Sequence, residues 1–354
     1  MSGLARRAVA LPDRVVSRAR WLAIDAEGKL DHRRARRAAA GGSGVVLLYH
    51  RVAETEEDPW GNAVTPKRFD EQLEALAAEM NLCSPAELVA AADGGSIPDR
   101  SVAVVFDDGY ADNLTNALPI IERRQVPTTL FVATGFIGKE GPYWWDELTD
   151  LLLGVGERPG TLDVVLAGRR VVAATGTREE RRVALLSAVH PALSVLPPAA
   201  IDAALDPIRA WAARGRGEGT VNGSGDNTAR PMTAAELQRF AASPLVELGA
   251  HTRDHPRLSA LPVAAQREEV RSGREAVSEL AGVTPRYFAF PYGDASRRSA
   301  RIVREAGFER AFGSRRPMAV TTAAPRFETP RIAAVEEDAE SLIRRLDRVL
   351  ADVG

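Results

Sequence analysis

The chain has 354 residues, with 46 Lys and Arg against 48 Asp and Glu, for a net charge of −2. This balance argues against a nucleic-acid-binding protein, whose electrostatic footprint is strongly basic, and the single cysteine, Cys83, excludes an internal disulfide and a cysteine-rich zinc site. Hydrophobic residues make up 45% and charged residues 27%, the composition of a globular chain long enough for two domains, or for one large domain with an insertion.

The first 40 residues carry ten basic and four acidic side chains, which gives +6 and leaves −8 for the remainder. Residues 1–43 therefore read as a basic, solvated arm that suits peripheral contact with an anionic membrane face or an acidic partner. The opening MSGLARRAVALPDRVVSRARW is broken by Arg, Pro and Asp before a secretory apolar run develops. No stretch of ~18 apolar residues follows, so no membrane span is expected. The expectation is a cytoplasmic protein, at most attached to the inner membrane face.

From Gly44 the run GVVLLYH predicts a buried strand. Thr65-Pro66 caps a helix with Phe69, Leu73, Leu76 and Met80 at helical spacing. A short strand near Leu82-Cys83, then SVAVVF and, after Pro127, TTLFVA continue the pattern. PLVELGA, RYFAF and RAFGS are further strands, with helices at 262–281, 295–306 and 338–351. About seven strands alternating with helices predict an α/β architecture with a parallel sheet, either open or closed as an incomplete barrel. The segment 141–230, rich in Ala, Arg and Leu, interrupts the alternation. It reads as a mostly helical insertion ending in VNGSGDNTAR, between core segments 44–140 and 231–354.

The chemistry concentrates at predicted strand ends, where ligands bind in parallel α/β folds. VVFDDGY places Asp107 and Asp108 together, and strand alternation points adjacent side chains to opposite sides. HTRDH follows VELGA. On a helical turn, His251 and His255, four residues apart, share one face and reach one cation. Two His and one Asp make a three-ligand site with positions open for water and substrate, leaving the second carboxylate as general base. His50 ends the first strand and suits a general acid, since imidazole titrates near neutral pH. The Pro–Tyr–Gly turn at 291–293 presents a backbone N–H as an oxyanion donor. Trp144-Trp145-Asp146 reads either as a sugar-stacking surface or as an anchor for the insertion. His32 and His190 lie away from strand ends and receive no role.

Taken in order, FDDGY, HTRDH and FAFPYG resemble the motifs of the polysaccharide deacetylase (NodB-like) family, over most of Gly44 to Ile332 outside the insertion. The resemblance implies a distorted (β/α)7 barrel with a largely helical insertion, and a divalent metal, usually Zn²⁺. It also implies hydrolysis of N-acetyl groups on an amino-sugar glycan or glycoconjugate. It makes Asp107 the catalytic base, Asp108, His251 and His255 the metal ligands, and the Tyr292 N–H the oxyanion donor. Three features depart from the pattern. Val105 stands where the family has Thr. No histidine follows His255, so the late acid histidine is missing. LLYHRV, however, is similar to the branch of exopolysaccharide poly-N-acetylglucosamine deacetylases, in which an early histidine, here His50, supplies the acid. The arginine expected before the Pro–Tyr turn is replaced by Ala289-Phe290, and Arg331 in TPRI takes its part. O-deacetylation or cleavage of another non-peptide C–N bond on the same site, and a catalytically silent carbohydrate-binding homologue, are the alternatives. A non-haem iron oxygenase also uses two His and a carboxylate, but leaves Asp107 without a task.

Overall fold

The computed structural model describes residues 41–215, 229–313 and 318–352. The basic arm and most of VNGSGDNTAR fall outside them. In chain order the strands are β1 (Ser43–Tyr49), β2 (Arg51–Val52), β3 (Ala63–Val64), β4 (Asn81–Leu82), β5 (Ser101–Asp108), β6 (Thr128–Val132), β7 (Thr161–Leu166), β8 (Arg169–Ala174), β9 (Val246–Ala250), β10 (Tyr287–Ala289), β11 (Arg310–Phe312), β12 (Val320–Thr321) and β13 (Ile332–Ala333). The main sheet runs β11-β10-β9-β6-β5-β1, each pair parallel.

The sheet curls into a distorted barrel, and one late segment links its two edges. Ile332 pairs in parallel with Leu47 of β1, while Thr329 bridges to Phe312 of β11. The staves are thus β1, β5, β6, β9, β10, β11 and β13, which agrees with the expected (β/α)7 barrel. The continuous apolar runs are explained by burial on both faces. Val45, Leu47, Val104 and Phe106 pack outward with Phe69, Leu73 and Leu76 of the helix Pro66–Glu79. Val46, Leu48, Ala103, Val105, Phe131 and Phe312 face the other way and form a second cluster. Helices Val263–Ala281, Arg297–Glu305 and Ala339–Ala351 lie where their periodicity places them.

Residues 144–213 carry a hydrophobic cluster of their own, centred on Trp145, Leu148, Leu152, Leu185 and Trp211. This segment is largely helical, as expected, with Pro198–Ala213 its longest helix, but it also holds a hairpin that its composition did not predict. Between the helices Trp144–Leu153 and Arg178–Ala184, β7 and β8 pair antiparallel as a hairpin. β7 alternates exposed and buried residues, and the turn Ala167-Gly168 has φ of 48° and 79°. Two positive φ values match the twist of a tight hairpin. The Ala and Arg content obscured that alternation. Among the described residues no helix is long and apolar enough to cross a membrane.

Candidate active site

The carboxyl ends of β5 and β9 bring the two motifs together. Asp107 and Asp108 are both buried. Asp108 leaves the strand with φ 74°, a left-handed conformation unusual for a non-glycine residue and typical of functional sites. Strand alternation alone would separate the two carboxylates. Instead both approach His251 Nε2, Asp107 Oδ2 at 3.6 Å and Asp108 Oδ1 at 3.5 Å.

HTRDH is not the helical turn that its spacing predicts. It is an irregular loop in which Thr252 and His255 have φ of 64° and 54°. His251 N–H donates to Val132 O, and His255 N–H donates to Thr252 Oγ1. Glu269 on the helix behind accepts from the backbone N–H groups of Arg253 and Asp254. Burial pushes the Glu269 carboxyl up to about 7. The same helix passes close at Gly273, where a Cβ would lie 2.6 Å from the Thr252 carbonyl carbon. The imidazoles converge because the loop is held from outside, not because a helix face aligns them.

Asp108, His251 and His255 each offer a ligand atom, all within 4.8 Å of one another. Asp108 Oδ1 is buried without a hydrogen-bond partner, 3.3 Å from His255 Nε2. The two separations from Asp108 Oδ1, 3.5 Å to His251 Nε2 and 3.3 Å to His255 Nε2, match the edges of a tetrahedron with bonds of ~2.0–2.1 Å. His251 Nδ1–H donates to Ala289 O at 2.8 Å, which leaves Nε2 as the lone-pair nitrogen toward Asp108. Burial keeps both imidazoles below their usual pKa and so neutral, as ligands must be. Burial, followed by the neighbouring Asp107 and Asp146, pushes Asp108 well above the carboxylate range. An orphaned acidic oxygen facing two neutral imidazoles fits a divalent cation.

Asp107 behaves differently. Burial works to raise its pKa, but Arg331, followed by His251 and His50, outweighs it and holds the carboxylate at about 2. Arg331 grips it with both nitrogens, at 2.7 and 2.9 Å. The arginine comes from the segment that completes the barrel, not from Ala289-Phe290 at the end of β10.

His50, at the end of β1, senses Asp107, Arg331 and His251, and burial pushes its imidazole down to about 4. Its backbone is pinned by Asn113 Nδ2, which donates to His50 O at 2.8 Å. The next residue, Arg51, is buried and pairs with Asp112 at 2.9 Å. Asp112 and Asn113 went unremarked in the sequence, although ADN directly after FDDGY was a usable signal. Tyr292 has φ 57°, and the hydrogen bonds of its turn, Gly293 to Phe290 and Asp294 to Pro291, do not use its N–H.

The insertion borders the cluster. Trp144 and Trp145 are buried, so they anchor it rather than form an open stacking surface. Trp145 Nε1–H donates to the Tyr110 hydroxyl, which donates to Asp146 Oδ2. Tyr143 donates its hydroxyl proton to Asp108 O, and the Trp145 ring lies 4.8 Å from that of His255. His190, assigned nothing from sequence, stacks on Trp144 at 5.2 Å and meets Tyr292 edge-on at 6.1 Å. No spacing rule connects position 190 to 292; only the folded insertion does.

A family model described as Polysaccharide deacetylase matches residues 94–154 and 189–311, more than half of the chain. The stretch it skips, 155–188, contains the β7–β8 hairpin. The poly-beta-1,6-N-acetyl-D-glucosamine N-deacetylase of Staphylococcus aureus strain MSSA476 is 27% identical over 111 residues, 28% of this chain and 38% of the relative. The enzyme of the same name from Staphylococcus epidermidis is 29% identical over 111 residues, 27% of this chain and 38% of the relative. The chain thus matches well under half the length of these relatives. Among solved structures, the Streptococcus pyogenes deacetylase PplD in complex with acetate aligns at TM-score 0.55 and 14% identity, covering 86% of this chain and 98% of that one. IcaB from Ammonifex degensii aligns at TM-score 0.51 and 19% identity, covering 88% and 97%. These two likenesses concern the fold. The family model's match over more than half of the chain's length shows that this chain belongs to the polysaccharide deacetylase family.

Proposed function

We propose that the protein is a metal-dependent hydrolase that removes N-acetyl groups from an amino-sugar glycan or glycoconjugate. The observation that carries this reading is the orphaned Asp108 Oδ1 facing the Nε2 atoms of His251 and His255, beside a second carboxylate that Arg331 holds ionised. Asp108, His251 and His255 would hold the ion, with Zn²⁺ suited to one carboxylate and two imidazoles. When bound, such an ion lowers the pKa of water to ~7 and polarises a carbonyl.

The remaining tasks fall to the chain itself. Asp107 is ionised at any working pH and takes the proton from the attacking water. Arg331 fixes the orientation of its two oxygens, so the base costs little reorganisation. The Tyr292 N–H, unused by its own turn, donates to the oxyanion as the carbonyl carbon becomes tetrahedral. His50 rests neutral, so it delivers a proton to the departing amine only after gaining one within the site. An amine needs this help because its anion is too basic to leave. The products are a free amino sugar and acetate. The names of the staphylococcal relatives point to N-acetylglucosamine units as the substrate.

The test measures acetate release from N-acetylglucosamine oligomers, together with metal content by elemental analysis, before and after chelation. The reading expects release that stops with chelator and returns with added Zn²⁺. Stoichiometric metal without release from any acetylated sugar would instead favour a silent binding homologue.

A further inference from the structure

We propose that Trp60, His190, Tyr292 and Arg257 form a substrate subsite beside the Asp108–His251–His255 cluster, selective for an acetamido sugar that carries a phosphoryl or carboxylate group. This deepens the deacetylase reading and rests on it for the position of the acetamide.

A series of ring contacts leads outward from the cluster. His255 meets Tyr292 at 4.8 Å, Tyr292 meets His190 at 6.1 Å, and His190 meets Trp60 at 4.5 Å. The buried Trp144 ring stacks on His190 from behind and fixes its plane. Trp60 donates its indole N–H to Thr149, which ties it to the insertion. Trp60, His190 and Tyr292 all keep part of their surface open. The result is a partly exposed aromatic wall, starting one ring away from a proposed metal ligand. Such rings offer large, rigid apolar faces with few rotamers to freeze, which suits a pyranose ring.

Arg257 gives this wall its charge preference. Its guanidinium lies over the Tyr292 ring, 4.6 Å from the centroid, and the side chain is half-buried. Among the described residues it has no carboxylate partner, unlike Arg331 and Arg51, which are both held by aspartates. Stacking fixes the plane of the guanidinium and leaves its N–H edge to donate in a fork, the geometry that matches phosphate and carboxylate. Charge bookkeeping agrees. With Asp146 ionised, Asp107, Asp108, Asp146, Arg331 and a divalent ion sum to zero, and Arg257 makes +1. A site of this sign favours an anionic sugar over a neutral one.

The experiment uses the Zn²⁺-loaded full chain and three probes: N-acetylglucosamine, N-acetylglucosamine 1-phosphate and N-acetylmuramic acid. Equilibrium Kd and the kcat/KM of acetate release are read for each, in wild type, Arg257→Gln, Arg257→Lys and His190→Ala. Wild type is expected to favour at least one anionic probe over the neutral sugar by ~10-fold or more, with the margin shrinking as salt rises. Arg257→Gln should bring that ratio near one, and Arg257→Lys should restore part of it. His190→Ala should weaken all three probes while leaving the ratio intact, and thermal melts confirm folding of each variant. An equal response to charged and neutral probes in wild type, or an unchanged ratio in Arg257→Gln, overturns the subsite. Charge discrimination in Kd without acetate release from any probe or from N-acetylglucosamine oligomers would leave the subsite standing and sink the deacetylase reading. Release without discrimination would do the reverse.

Discussion

Arg331 and Asp107 are 224 residues apart in sequence, yet they form a bidentate pair with both side chains almost fully buried. Removing one partner of such a pair leaves an uncompensated charge in the interior, so Arg331→Ala should cost ~3–5 kcal/mol, measurable by denaturant unfolding. Arg331→Lys keeps the charge but not the fork, and its activity should fall between the two. Asp107→Asn should lower turnover by at least ~10²-fold while metal content stays at the wild-type level. Loss of both together would mean that Asp107 is a ligand rather than the base. Asp108 titrates in the opposite sense. Burial, followed by Asp107, raises its pKa, so a cation competes with a proton for this carboxylate. Metal affinity should therefore rise with pH, and competition with a chelator at pH 6 and pH 8 would show it. His50 adds a stability term. Its folded pKa of about 4 lies below the ~6.5 of an unfolded histidine. Its contribution is thus present above ~6.5 and lost as pH falls toward ~4. Unfolding curves at both ends of that window should show a shallower decline for His50→Gln than for wild type.

At the scale of elements, the helix Val263–Ala281 shapes the histidine loop through Gly273 and Glu269. A Cβ at position 273 meets backbone rather than a flexible side chain, so something must shift. Gly273→Ala should cost ~1–3 kcal/mol by overpacking and loosen metal binding, read by melting temperature and chelator competition. Glu269→Gln, which keeps an acceptor oxygen, should be much milder. These contacts also show where the sequence was legible. The strands announced themselves because parallel staves buried on both faces read as unbroken apolar runs, as in Val45 to Leu48. The histidine spacing picked out two imidazoles that do converge on Asp108, but not through a shared helix face, because no periodicity encodes left-handed backbone at Thr252 and His255. Arg331 came only from the family resemblance, as a stand-in for the arginine missing before the Pro–Tyr turn, since pairing across the barrel leaves no local trace. His190 and Trp60 were invisible as site residues because their neighbours come from three separate stretches of chain.

For the whole molecule, the barrel carries the cluster on strand ends that the core already holds. Residues 329–333 join the two sheet edges, and the insertion covers one side of the site through Tyr143 and Trp145. Stripping the ion should therefore stop acetate release yet leave the far-ultraviolet circular dichroism and a single cooperative unfolding transition in place. Collapse of the secondary structure on chelation would show instead that the cation is a fold-determining element.

The stave bearing Arg331 is also synthesised after every one of the motif residues, 224 positions beyond Asp107. A nascent chain that has already delivered both aspartates and both histidines still lacks the guanidinium that keeps Asp107 ionised and aimed. Premature release before Thr329 would yield a product with FDDGY, HTRDH and FAFPYG intact and the buried Asp107 carboxylate without its guanidinium partner, so the order of synthesis ties this ion pair to completion of the barrel.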